Sequence, residues 1–140
     1  MTLLGAISDH LDNGDSNGAI ALRGLLGTGK VWSDRAPDKK SMPYVVVREI
    51  STTPLSQNVT HESRIDSARG QIDCFARSGA LVDQVLDLVE DIFDGPDRVT
   101  LTVSDRTHLT TAFLNRLHVQ DPDDAVFHGF VELQFILVKS

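Results

Sequence analysis

Gly24-Leu25-Leu26-Gly27-Thr28-Gly29-Lys30 carries the Gly and Lys spacing of a phosphate-binding loop, in which backbone amides cradle phosphates and the lysine supplies charge. That loop also needs a Ser or Thr after the lysine to hold magnesium, and Val31 stands there. It should run from a strand into a helix, whereas this segment leaves a helical pattern and enters an extended one. A helix cap followed by a glycine turn is the expected reading. Five histidines are present, at positions 10, 61, 108, 118 and 128. His118 and His128 fall cross-strand if the last hairpin pairs symmetrically about its turn, but a metal site needs three or four convergent ligands. No metal and no other cofactor is expected. Cys74 could act as a nucleophile only beside a base and within reach of solvent. It sits on the small, apolar face of its strand, so burial is expected instead. No catalytic residue emerges, and the chain reads as a non-enzyme.

Asp83, Asp87, Glu90 and Asp94 repeat along the outer face of one expected helix, with Asp91 adjacent. Like charges at that spacing cost a few tenths of a kcal/mol per pair, and acids near a helix C-terminus oppose its dipole. A solvated face tolerates such a loss. The sharper reading makes Asp87 and Glu90 part of an acidic assembly surface that repels passing DNA or meets a basic partner. The chain has 20 acidic and 13 basic residues, a formal net charge of -7. Its closest approach to a basic block is Asp38-Lys39-Lys40, too short to grip phosphates. DNA is expected at most to slide past without specific binding.

These residues must be held by elements that the apolar pattern outlines. Leu3, Leu4, Ile7 and Leu11 share a helical face, and a turn at Asn13-Gly14-Asp15 and Asn17-Gly18 breaks that helix. A second short helix over 19–26 is capped by Gly27. Residues 31–42 read as an extended loop with Trp32 tucked inward. Residues 43–50 form a proline-led strand rich in β-branched residues. Residues 51–67 are rich in Ser, Thr, Asn and Gln and read as one long loop, which a compact domain rarely keeps without a use. Residues 68–77 alternate as a strand. Ser78 caps a helix with the stripe Leu81, Val82, Val85, Leu86, Val89, Ile92 and Phe93, which Gly95-Pro96 ends. A short strand over 98–103 and a hairpin of 112–120 with 126–138, turning at 121–124, complete the pattern.

This order argues for an α+β fold: a mainly antiparallel sheet of about four strands with helices packed on one face. A small barrel-like two-layer sheet is the other arrangement compatible with it. With 140 residues, 41% of them hydrophobic and 24% charged, residues 1–140 read as one globular domain. A single cysteine allows no internal disulfide. The start, Met1-Thr2-Leu3-Leu4, lacks a basic region and Asp9 interrupts any signal-peptide core, so a soluble protein kept inside a cell and away from membranes is expected.

Three stretches resemble the tail-terminator, or tail-completion, proteins of long-tailed (siphophage-type) bacteriophages and gene transfer agents. They are Met42-Pro43-Tyr44-Val45-Val46-Val47, then Arg69-Gly70-Gln71-Ile72-Asp73-Cys74-Phe75-Ala76 with the helix behind it, and Gly129-Phe130-Val131-Glu132-Leu133-Gln134-Phe135. The order and spacing of these stretches carry the likeness over nearly the whole chain. The resemblance implies a ring, commonly a hexamer, that caps the tail tube, ends its polymerisation and joins the tail to the head connector. It also implies contacts with the major tail tube protein and a head–tail connector or stopper protein, at the tail–neck junction of a virion assembled in the host bacterial cytoplasm. Gln57, His61 and Arg64 in the expected loop are the candidate contacts with a neighbour or the tube. A neck or head-closure protein of the same particle, and a small-ligand-binding α+β module, are the alternatives.

Overall fold

The computed structural model describes residues 2–35, 41–57, 64–96, 98–104, 106–120 and 126–139. Two helices open the chain, α1 (Leu3–Asn13) and α2 (Asn17–Leu26). Thr2 and Ser16 cap them, their side-chain oxygens accepting from the N–H of Gly5 and Ala19. The expected break is a tight turn between the two helices. Arg23 staples it by donating to the carbonyls of Leu11 and Gly14. A third helix, α3 (Gly79–Asp94), starts at the Ser78 cap and buries Val82, Val85, Leu86, Val89, Ile92 and Phe93. No described helix is long and apolar enough to cross a membrane.

The strands are β1 (Val31–Ser33), β2 (Tyr44–Gln57), β3 (Arg64–Ala76), β4 (Thr102–Val103), β5 (Arg106–Gln120) and β6 (Phe127–Lys139). They form one sheet in the order β1-β2-β3-β6-β5-β4. The α+β class holds, but the sheet has six strands and is mixed, because β1 pairs parallel to β2 while every other pair is antiparallel. The expected 17-residue loop is mostly strand as well. Thr52, Thr53 and Pro54 pair with Ala68, Ser67 and Asp66, and Gln57 pairs with Arg64. Likewise the strand expected from residue 112 begins at Arg106, the one expected over 98–103 shrinks to β4, and β1 appears inside the expected loop.

One face of the sheet carries the helices. Val45, Cys74 and Gly129 stand side by side on it, as do Val47, Ile72 and Val131. Gly129 has a steric reason to be glycine: a Cβ there would lie 2.8 Å from Val82 Cγ1 and 2.9 Å from Leu86 Cδ1. Close approach of α3 to β6 therefore depends on that missing side chain. Phe135, on the same face, meets Phe93 edge-to-face at 5.7 Å between ring centroids. Beside them His108 is buried in one tautomer: its Nδ1 accepts from the Leu101 N–H at 2.9 Å, leaving Nε2 to donate to Thr111 Oγ1 at 2.8 Å. Burial pushes its pKa below the ordinary histidine range.

Candidate functional site

β2 and β5 flank the paired centre of the sheet, and each is far longer than the strand that covers its outer side. β1 pairs only with Val45, Val46 and Val47, and β4 only with Arg106 and Thr107. The rest of each outer edge has no strand partner among the described residues. Both strands also carry two bulges. On β2 the register slips at Ile50 and Leu55; on β5 it slips at Leu109 and Leu114. All four skipped residues are apolar. Residues 48–54 of β2 are exposed throughout. Leu109, Phe113, Leu114 and Leu117 make β5 the richest source of exposed large apolar side chains, and Ile50 adds one on β2.

The acidic helix face expected as open surface is joined to the β5 side. The bulges bring Arg116 and His118 onto the helix-bearing face. Arg116 reaches Asp87 Oδ1 at 2.6 Å, Asp83 Oδ1 at 3.2 Å and Glu90 Oε2 at 3.5 Å. His118 Nε2 lies 3.1 Å from Asp83 Oδ1, and Asp94 Oδ2 accepts the Phe113 N–H at 3.0 Å on the strand edge. Asp87 and Glu90 therefore belong to a charge cluster spread over α3 and β5. Sequence reasoning did not single out Arg116. The signal that could have found it is the lack of any base on the acidic helix face itself, which leaves the compensating cation to come from another element.

On the opposite face, away from the helices, Asp73 is fully buried between Arg48 Nε at 3.2 Å, His128 Nε2 at 3.0 Å and Gln71 Nε2 at 2.9 Å. Tyr44, Phe75 and His128 stack across three strands above it, with ring centroids 5.0 and 4.2 Å apart. The expected cross-strand pairing of His118 with His128 is off by one position: His118 is opposite Gly129, and His128 opposite Val119. The two rings therefore lie on opposite faces and cannot share an ion. At the far end of β3, Arg64 clamps the buried Asp66 through Nε at 2.7 Å and Nη2 at 3.0 Å, with Arg106 at 3.7 Å. Arg64, expected at a loop contact, thus serves an internal carboxylate. Gln57 is the last residue of β2, and His61 lies outside the described residues.

The phosphate-loop spacing resolves as a helix stop. Gly27 ends α2 at φ 92° and Gly29 follows at φ 70°, while Lys30 Nζ donates to the Ser41 carbonyl and hydroxyl at 3.0 Å. Cys74 is buried on the helix-bearing face. Burial, with the Asp73 charge adding to it, pushes its thiol up to about 12. A disulfide reagent at pH 8 should therefore label it no faster than the protein opens; rapid stoichiometric labelling of folded protein would contradict this burial. A cleft of about 600 Å³ lies between α2 and α3, lined by Asp15, Ser16, Gly18, Leu88, Asp91 and Ile92, with two carboxylates and no base on its wall.

The family model described as tail completion protein gp17 matches residues 17–137. Among solved structures, a chain in the virion of a native gene transfer agent particle is 16% identical, with a TM-score of 0.77 over 98% of this chain and 95% of that one. A second solved chain is 12% identical, with a TM-score of 0.57 over 95% of this chain and 88% of the other. No curated protein matches the sequence. At these identities the structural likenesses establish a shared fold.

Proposed function

This chain belongs to the tail completion protein gp17 family and is a structural protein of a phage-type tail; from that premise we propose that it forms a ring capping the tail tube. The ring ends tube polymerisation and joins the tail to the head connector. Its partners are further copies of itself, six of them as the resemblance to tail-terminator proteins implies, together with the major tail tube protein on one side and a connector or stopper protein on the other. DNA passes through without specific binding, in keeping with the net charge of -7.

The observation that carries this reading is the exposed half of β2. Seven consecutive strand residues, 48–54, are exposed although they are ordered by pairing with β3. A monomer gains nothing from displaying so much backbone edge, whereas a subunit that must stack and close into a ring needs rigid, open surface. Neighbouring features fit. On the helix-free face Arg48 lies against Asp73 and Arg69 against Glu132, so each of these guanidiniums already has a carboxylate beside it within the subunit. The same edge ends at Gln57 and the chain returns through Arg64, so the contact surface proposed here is a strand edge together with residues 58–63 that follow it.

The reading is tested by adding purified protein to tail tube subunits while they polymerise. Tubes of bounded length, with the protein confined to one end, are expected. Unrestricted growth with the protein left in solution would reject terminator activity.

A further inference from the structure

We infer that the exposed edge of β2 on one copy docks against the β5–α3 side of the next copy, and that this head-to-tail contact is the one that closes the ring. The inference rests on the ring reading above and names its interface. Two different surfaces are required for a heterologous contact, and they must lie on different sides of the subunit. The sheet order β1-β2-β3-β6-β5-β4 provides that, since β2 and β5 flank the paired centre from opposite directions.

The charges on the two sides are complementary in how they are presented. On the helix-free face beside the β2 edge, Arg48 of β2 and Arg69 of the adjoining β3 are each 47% exposed while their partners Asp73 and Glu132 are at 0% and 15%, and the edge itself adds one exposed carboxylate, Glu49. The β5 side is inverted. Arg116 is the covered member at 24%, and its partners Asp83 and Asp87 stand 57% and 67% exposed. One side therefore offers guanidinium donors and the other carboxylate acceptors, the pairing that favours planar, two-point recognition. Such a pattern steers one side onto the other and opposes the contact of either side with itself.

Apolar matching runs alongside. Strand edges that must stay alone are usually blunted with lysine or by twisting them away through bulges. Here a bulge on one edge holds the exposed Ile50, and bulges on the other hold the exposed Leu109 and Leu114. Leu117 continues the β5 strip. Bulges discourage flat edge-to-edge pairing, so the contact is built chiefly from these side chains and the flanking charges. The Phe113 N–H on the β5 edge is already satisfied by Asp94.

The experiment uses full-length Arg69→Glu, Asp87→Arg, the double variant, Ile50→Asp and Leu117→Asp, each mixed with tail tubes and scored for end caps by negative-stain microscopy. Far-ultraviolet dichroism and thermal melting establish that each variant is folded. Either charge reversal alone should reduce the capped fraction about tenfold or more, because outward charges of one sign then face each other. The double variant should recover most of that loss, since every subunit then carries both reversed partners. Ile50→Asp and Leu117→Asp, both at exposed positions, should each lower capping by about tenfold. Folded double variants that cap no better than the singles, or aspartate variants that cap like wild type, would overturn the interface while leaving the ring intact. Wild-type protein that never caps tubes would overturn the ring reading itself.

Discussion

Phe135→Ala is expected to lower folding stability by about 3–5 kcal/mol, the range for truncating a buried phenylalanine. Phe135 is fully buried on β6, meets Phe93 of α3 edge-to-face and lies 5.7 Å, ring to ring, from the buried His108. It therefore touches the helix layer and the strand layer at once. The space left by its ring is walled by α3 on one side and by β3 on the other, where a side chain at Gly70 would have met the same ring. Rigid walls collapse poorly, which places the loss high in that range. Domains of this size are stable by only about 5–15 kcal/mol, so the variant should be largely unfolded on warming. Urea titration measures the effect as a fall in midpoint at unchanged slope. Ile20→Ala, at an exposed apolar position on α2, should stay within about 0.5 kcal/mol of wild type. A loss at Phe135 no larger than at Ile20 would show that the core is not centred on the α3–β6 contact.

The second large effect concerns residues 58–63, which join β2 to β3 in the chain. Replacing residues 58–63 by Asn-Gly is expected to leave a folded protein that no longer caps tails. Gln57 and Arg64 are paired and face one another at the end of the ladder, so a two-residue connection suits the strands that remain. Shortening a loop costs little in closure entropy, and the melting temperature should move by less than about 4 °C, equivalent to about 1 kcal/mol. A wider deletion over 55–63 would be a poorer experiment, because it removes strand residues and the bulge at Leu55. Capping that survives the replacement would free the ring of any dependence on residues 58–63 and leave the strand edges as the whole contact.

Much of the fold could be read from the residues, and the failures have physical causes. α3 was legible because its apolar stripe, Ser78 cap and Gly95-Pro96 stop all agree, and the structure buries the same stripe. β3 was legible from clean alternation between positions 68 and 76, where the even positions do face the helices. β2 beyond Glu49 and β5 before Ala112 were not legible. Each bulge reverses which parity faces the core, so alternation fails at Ile50, Leu55, Leu109 and Leu114. A polar run with a proline then looks like loop, and only pairing with β3 and β6 makes it strand. β1 was hidden for a related reason, since three residues held by a parallel partner have no local signature.

The candidate site was legible in outline only. Acidic spacing on α3 pointed to Asp87 and Glu90, yet their cation, Arg116, comes from a strand whose facing depends on the Leu114 bulge. Arg64 read as a loop contact because Asp66, two residues on, gave no sign of being buried; its burial comes from the sheet and from Arg106. Long-range placement of charges by a sheet is the part that composition and periodicity do not encode.

The measurement that bears most directly on tail capping is negative-stain microscopy of the purified protein, alone and mixed with tail tubes. Rings, or caps seated on one end of tubes of fixed length, are the expected result, with the cap absent when the protein is omitted. Protein that stays monomeric and never associates with tubes would contradict it.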